Sequence, residues 1–369
     1  MISATEIHSW FIPTDLKQDE ALSSWLIRAA LDSGCDPLSL TGVLWPKWRI
    51  WSVDVDRGLS AEQVQVLINT TKIDESQFNS ATLRNFLIKY NLDNQTLDAW
   101  YLVLGTRNRK HRGGWQYCPE CLSEDNVAYF RLPWRFAWHT GCIKHNQHLH
   151  DQCPHCHNAI QPRRLEAPDQ VMTCCSICKK SLLEVNKSLV DCHALAFQKI
   201  FDQFLEQGCA TYQDKLISVT DWLTVIKLFS QFIRKALAGS VNGKGWAFLE
   251  QLRIQVPHPE LISNGLAVNQ LPVTERERLF SCIYQLLIIP QEKFIETAKS
   301  LNMNRSSFWD KRNQLPAILR PVEEQLGSIY RNYPPKRALV DTLKPKSKET
   351  VIRKFLRLKR NLHLVRVMQ

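Results

Sequence analysis

What the chain lacks narrows its function before any motif is considered. No Walker loop, no nucleophile elbow and no paired set of catalytic carboxylates occurs in its 369 residues, so an ATPase, integrase or nuclease centre is not expected. Long apolar runs are missing as well. The longest, Leu279 to Ile289, is broken by Ser281 and Gln285 and is too short to cross a bilayer. The opening residues, Met1-Ile2-Ser3-Ala4-Thr5-Glu6, have neither the basic region nor the apolar core of a secretory signal. A membrane partner is therefore not expected, and the cytoplasm is the expected location. No internal repeat is visible beyond one doubled cysteine pattern. With 44% hydrophobic residues the composition is that of a globular chain of two or three domains.

Cysteine, by contrast, is plentiful. There are twelve, and a reducing compartment points them toward metal rather than disulfides. Four pairs lie between Cys118 and Cys178: Cys118-Pro-Glu-Cys121, Cys142-Ile-Lys-His145, Cys153-Pro-His-Cys156 and Cys175-Ser-Ile-Cys178. Each has two residues between its ligands, a tight turn that aims both side chains at one ion. Thiolate and imidazole are the ligands zinc prefers, and four of them close a tetrahedral site. Twenty residues separate Cys121 from Cys142 and eighteen separate Cys156 from Cys175, close to zinc-site spacing. Pairing in sequence gives one site of Cys118, Cys121, Cys142 and His145 and a second of Cys153, Cys156, Cys175 and Cys178. Both are closed, hence structural, because catalytic zinc keeps an open position. Two structural Zn2+ ions are expected. Cys174 competes with Cys175 for the third place in the second site, and the two-residue step to Cys178 favours Cys175. His139, His148, His150, His155 and His157 read as solvated bystanders. Cys35, Cys192, Cys209 and Cys282 read as core or neutral, with Cys192-His193 a remote extra pair. Glu120 and Glu124 flank the first pair, but nothing in their spacing marks a general base.

Helical periodicity dominates elsewhere. A helix over 19–33 is capped by Asp15 or Asp19, and Gly34 and Pro37 end it. Trp45, Trp48 and Trp51 are read as core. Ser60-Ala-Glu-Gln63 is a capping box opening a helix, and Asp74 caps a second short one, a helix-turn-helix candidate. Further helices are expected over 81–90 and 96–104. A basic stretch, 106–114, leads into the cysteine region. There Tyr129, Phe130, Trp134, Phe136 and Trp138 alternate with Arg131 and Arg135; the aromatics are assigned to packing and the arginines to a partner-facing surface. Helices are expected over 193–207, 219–237, 245–253, 274–288, 291–300 and 305–314. Asn302 in the turn before the last suggests a second helix-turn-helix, whose recognition helix would present Arg305, Ser306, Ser307, Lys311 and Arg312 to nucleic acid.

The formal net charge is +11, and it is unevenly spread. Residues 331–369 carry twelve Lys or Arg against Asp341 and Glu349, which leaves +10 there and a nearly neutral remainder. Within that tail, 349–366 reads as a basic amphipathic helix suited to DNA or a protein partner.

The motifs together carry a resemblance. The order Cys118-Pro-Glu-Cys121-Leu122, then Tyr129-Phe130-Arg131-Leu132-Pro133-Trp134-Arg135, then Cys142-Ile-Lys-His145, Leu149 and Cys153-Pro-His-Cys156 resembles the TniQ/TnsD family of transposon target-selection proteins. The segment Asp19-Glu20-Ala21-Leu22-Ser23-Ser24-Trp25-Leu26-Ile27-Arg28 is similar to the start of that family's domain. The likeness covers roughly residues 10–185, about half the chain. It implies a helix-turn-helix in the N-terminal part and a non-catalytic adaptor with two contacts. One is to a targeting module, either DNA or an RNA-guided Cascade-type complex; the other is to the AAA+ ATPase that regulates transposition. A direct, sequence-specific DNA binder of the TnsD type is the alternative within the family, and a zinc-finger transcription regulator is the alternative outside it. A homodimer is left open.

The expected fold is thus mostly α, with two small zinc-ribbon or zinc-knuckle modules in the middle and helix-turn-helix units at both ends. Expected domains are 1–105 (helical), 106–190 (double zinc-binding), 191–265 (helical), 266–330 (helix-turn-helix-like) and 331–369 (basic tail).

Overall fold

A computed structural model describes residues 14–71, 73–84, 99–104, 114–169, 171–239, 242–255, 266–310, 313–327 and 347–356. Most of the helix expected over 81–90, most of the 106–114 linker and the greater part of the basic tail lie outside those residues. Of the helix expected over 96–104, residues 99–104 are described and are not helical but form a turn and extended chain, with Tyr101 bridged to Phe136. Two compact units divide the chain: one runs to Gly327 apart from residues 107–110, and the other comprises residues 107–110 and 328–369. The described part of the smaller unit is a helix over 348–356, with Val351, Ile352, Phe355 and Leu356 exposed.

The larger unit is mostly helical, with the two cysteine clusters in the middle of the chain. It opens with α1 (Leu22–Asp32) and α2 (Pro37–Leu44), joined at Gly34, whose φ of +69° suits a residue without Cβ. Neither Asp15 nor Asp19 caps α1. The N–H groups of Ala21 and Leu22 donate instead to the carbonyls of Phe130 and Ala81, and the Asp56 carboxylate accepts the Ser23 N–H at 2.7 Å. The first turn of α1 is buried, so its open donors are met from distant chain rather than by a local side chain. The Ser60–Gln63 capping box opens α3 (Ala61–Thr70), and α4 (Glu75–Ser80) follows after Asp74. Trp25, Trp45, Leu67 and Phe78 share one apolar cluster, with Phe78 set edge-on to Trp25 at 5.3 Å. The three tryptophans differ: Trp45 is core, Trp51 half-buried and Trp48 exposed.

The middle of the chain is short on regular structure. It contains α5 (Pro119–Glu124) and a small antiparallel pair, β1 (Gly141–Cys142) with β2 (Gln147–His148). Beyond it come α6 (Cys192–Gln207), a hairpin of β3 (Cys209–Tyr212) and β4 (Lys215–Ser218), α7 (Val219–Ala238) and α8 (Lys244–Gln251). Gln213 and Asp214 close the hairpin with φ of 50° and 59°, the left-handed pair a two-residue turn requires. Next are α9 (Val273–Leu287), α10 (Gln291–Ser300), α11 (Arg305–Phe308) and α12 (Arg320–Leu326). α9 packs on α6 and α7. Stacked rings tie the layers together: Trp138 on Phe201 at 4.1 Å, Phe197 on Phe280 at 4.8 Å and Phe204 on Trp222 at 4.1 Å. Trp138 comes from the cysteine region, so that region and the helices share one apolar core. Each fully buried aromatic contributes about 1.5–3 kcal/mol against leaving it in water.

The helix expected over 305–314 ends at Phe308. Trp309 turns to extended backbone (φ −131°, ψ 147°) and buries its indole. Phe308 packs among Phe232, Phe248 and Phe294. Burial of two successive aromatics needs a change of direction that a continuing helix would not supply. Among the described residues, no helix is long and apolar enough to cross a membrane.

Candidate metal centres

Cluster one gathers Cys118, Cys121, Cys142 and His145, and cluster two Cys153, Cys156, Cys175 and Cys178, with the ligand atoms of each set within 4.8 Å of one another. In cluster one His145 Nδ1 lies 3.4 Å from each of the Cys118, Cys121 and Cys142 sulfurs, and the Cys121 and Cys142 sulfurs are 3.6 Å apart. In cluster two Cys153 and Cys178 are 3.6 Å apart, and Cys156 and Cys175 3.7 Å. Metal–sulfur bonds of about 2.3 Å in a tetrahedron give sulfur–sulfur edges of about 3.8 Å. The measured edges are near that value and far beyond a disulfide bond, and all twelve cysteines are free.

Local backbone explains how each pair converges. Cys118 caps α5 and Cys121 lies in its first turn. The other three pairs are knuckles. Each is followed by a residue with positive φ: Asn146 at 50°, His157 at 55° and Lys179 at 61°. The chain thereby reverses directly behind the second ligand, and short antiparallel contacts (Gly141 with His148, Gln152 with Ala159, Cys174 with Ser181) clamp each turn. At Gly141 there is no room for a side chain, since a Cβ would meet Val190 Cγ2 at 2.5 Å.

The surrounding polar groups fit the chemistry of bound cation and thiolate. His145 Nε2 lies 3.0 Å from Glu124 Oε1, which leaves Nδ1 directed at the three sulfurs. Such a carboxylate fixes the tautomer and raises ligand basicity. Gln147 Nε2 donates to the Cys118 sulfur at 3.2 Å, and the Ile177 N–H donates to the Cys175 sulfur at 3.4 Å. Donors aimed at sulfur favour the thiolate form. The residues present therefore fit one tetrahedral metal ion in each cluster. Glu124 is the residue whose spacing gave no signal; its role depends on the turn of α5 that carries it beside His145. Between the neighbouring cysteines the structure selects Cys175, while the Cys174 sulfur faces the Val171 carbonyl.

The five other histidines join neither cluster, and two are not solvated. His139 is buried between Asp202 (2.9 Å) and Gln198 (3.2 Å), and His148 is buried against Glu277. Burial and the neighbouring His148 push His150 down to about 4, so its ring is neutral at ordinary pH. Cys192 and His193 are 3.9 Å apart and gather no further ligand.

Arg131 and Arg135 are both engaged within the chain, Arg131 partly exposed and Arg135 fully buried. Arg131 is chelated by Asp125 at 2.7 and 3.1 Å and lies over the Tyr129 and Trp134 rings. Arg135 is wholly buried; it binds Asp54 at 2.7 Å, Asp56, and the Leu102 carbonyl at 2.9 Å. Burial pushes the Asp56 carboxyl up to about 6 against the pull of Arg135, which leaves it ionised at neutral pH. This network ties α1, through Ser23, to the aromatic run between the two ligand pairs of cluster one.

Of the residues expected to meet nucleic acid, Arg305 is paired with Glu323 at 2.6 Å, Ser306 bonds to Asn304 at 2.7 Å, and Ser307 is half-buried beside it. Lys235 binds the carbonyls of Ser306 and Ser307 at 3.2 and 3.3 Å. Lys311 and Arg312 lie outside the described residues.

A mostly helical protein with two closed, four-ligand metal clusters is what the fold and the sites define. Residues 12–149 match the TniQ family model, so that stretch is a TniQ domain, which indicates a protein related to transposition target selection. The match includes all of cluster one and stops short of cluster two. No curated protein matches the chain.

Proposed function

We propose that this chain is an adaptor in transposon target-site selection, linking an RNA-guided Cascade-type complex to the AAA+ regulator of transposition. The observation that carries the reading is the TniQ match over 12–149, joined to clusters whose four ligands leave no open position for a reacting water. The bound metal is zinc, because three thiolates with an imidazole and four thiolates are its structural ligand sets. Its task is to hold surfaces in shape, and metal binding supplies folding energy to a region with little secondary structure. Zinc analysis of the pure protein should give two ions per chain. The adaptor role is tested by co-purification with an AAA+ transposition regulator and with an RNA-guided Cascade-type complex. Stable association with each, through separate surfaces, is the expected result; association with neither sinks the proposal. The basic run over 331–369 favours a second reading, direct DNA binding of the TnsD type. Site-specific footprinting by the protein alone would select it.

A further inference from the structure

Lys47, Trp48 and Arg49 form an exposed run on the loop after α2, between the buried residues Trp45 and Ile50. Both ends of the loop are anchored. Trp45 Nε1 donates to the Gln63 carbonyl at 3.3 Å, and the Trp48 N–H donates to the Trp45 carbonyl at 3.0 Å. A second segment reaches the same place from more than a hundred residues away in sequence. The 162–164 turn packs on α1 and α2, and Arg163 Nη1 donates to the Trp51 carbonyl at 2.8 Å, with Arg164 exposed beside it.

Neither Lys47, Arg49, Arg163 nor Arg164 forms an ion pair among the described residues. The nearby carboxylates are already engaged: Asp54 pairs with Arg135 at 2.7 Å, Glu166 and Asp169 hold Lys179 at 3.4 and 2.6 Å, and Asp36 accepts the Ala167 N–H at 2.7 Å. Exposed lysines and arginines are ordinarily just solvated. Arg163 is different, because it is half-buried. Burial, and then the like charge of Arg164, push its pKa down. A partly desolvated guanidinium beside a second one, with no carboxylate, is an arrangement that an arriving anion would relieve. Three residues before Trp51, whose carbonyl Arg163 holds, Trp48 presents an indole that is 40% exposed.

We propose that this bulge binds single-stranded nucleic acid, with Lys47, Arg49, Arg163 and Arg164 pairing with phosphates and Trp48 stacking on a base. Cations along a backbone track beside an aromatic platform are what such strands require, and a base inside a duplex has no free face to offer. The proposal is independent of the adaptor role, since it concerns no protein partner.

The test uses the full-length, zinc-loaded protein and a labelled oligothymidylate of about 20 nucleotides, spanning more than one binding-site length. Binding is measured from about 50 to 200 mM salt, where phosphate contacts are strongly screened. The Lys47→Ala/Arg49→Ala variant should bind more weakly, and its slope of log K against log salt should fall by about 1.4, at roughly 0.7 per phosphate lost. Trp48→Ala should weaken binding roughly tenfold with the slope unchanged, because stacking releases no counterions. Thermal midpoints should stay at the wild-type value. A 5-bromouracil-substituted strand irradiated on the protein should give an adduct at Trp48. Three results overturn the proposal: wild-type slopes in both variants with adducts confined to 331–369, a duplex bound as tightly as the single strand with Trp48→Ala silent, or a defect confined to an acidic protein partner.

Discussion

The two metal clusters share a geometry and differ in how they are built into the molecule. Cluster one sits inside a web of side chains. Glu124 holds its histidine, Gln147 bonds one of its sulfurs, and the hairpin carrying Cys142 is fastened to α6 by Gln198, whose side-chain carbonyl accepts the Thr140 and Gly141 N–H groups at 3.1 and 3.3 Å. Next to it His148 meets Glu277 on α9. Cluster two relies on its own two knuckles. Two of its four cysteines are half-buried, and its sulfurs receive a backbone donor at Cys175. Cys153 and Cys175 are buried in the shared apolar core, the Tyr117 hydroxyl donates to the Leu182 carbonyl at 2.9 Å, and the chain between the cluster's halves reaches the first helices, where Arg163 binds Trp51 and Ala167 binds Asp36. Similar tetrahedral coordination is therefore held in two ways: cluster one is braced by side chains from neighbouring helices, and cluster two, which shares the same core, also fastens a loop to the first two helices.

Paired cysteine variants should break the comparison most sharply. Cys118→Ser should lose one metal ion and take cooperative unfolding of the whole larger unit with it, while Cys178→Ser should also lose one ion yet retain most helical signal and a measurable thermal midpoint. Native mass spectrometry with thermal circular dichroism reads both quantities; equal collapse of the two variants would erase the distinction. Next in size is the charge network that joins cluster one to α1. Arg135→Ala leaves Asp54 and Asp56 buried without their guanidinium, and breaking a buried pair from one side costs about 3–5 kcal/mol. Denaturant titration should register that loss, and Arg131→Ala, whose ion pair is partly exposed, should cost far less. The smallest effects belong to the residues around the metal ligands. Gln147→Leu should lower the affinity of one site by roughly 10–100-fold, and Glu124→Ala by less because its carboxylate is solvent-exposed. Chelator competition on each variant should show one weakened site and one unchanged; two weakened sites would mean that the clusters are coupled.

Metal-ligand spacing was open to a reader of the chain because it is local. Each pair is a turn, and the step from Cys175 to Cys178 was enough to prefer Cys175 over Cys174. Capping boxes were legible for the same reason: Ser60 and Gln63 interact within one turn of helix. Long-range partners were not. Nothing near Arg135 announces that Asp54 and Asp56, about eighty positions earlier, will neutralise it, and so an interior arginine reads like a surface one. The β3–β4 hairpin is not legible in the sequence, because Gln213-Asp214 takes the left-handed turn without the glycine that ordinarily signals it. The helix after Asn304 was overdrawn because periodicity counts Phe308 and Trp309 as apolar without revealing that both must be buried at once.

Arg276 lies on α9, yet besides the nearby Leu271 carbonyl it donates to the Ala137 and His139 carbonyls and, at 2.7 Å, to Gln116 Oε1, on the cysteine region. During synthesis this makes the molecule wait for itself. All eight ligands have left the ribosome once Cys178 emerges, and Arg276 follows 98 residues later. At roughly 5–20 residues per second that interval is about 5–20 s. A nascent chain can load both metals in that time, but its Ala137 and His139 carbonyls still lack the guanidinium that binds them. Metal capture and completion of the core are thus separate events in the life of one polypeptide, ordered by where a single arginine falls in the message.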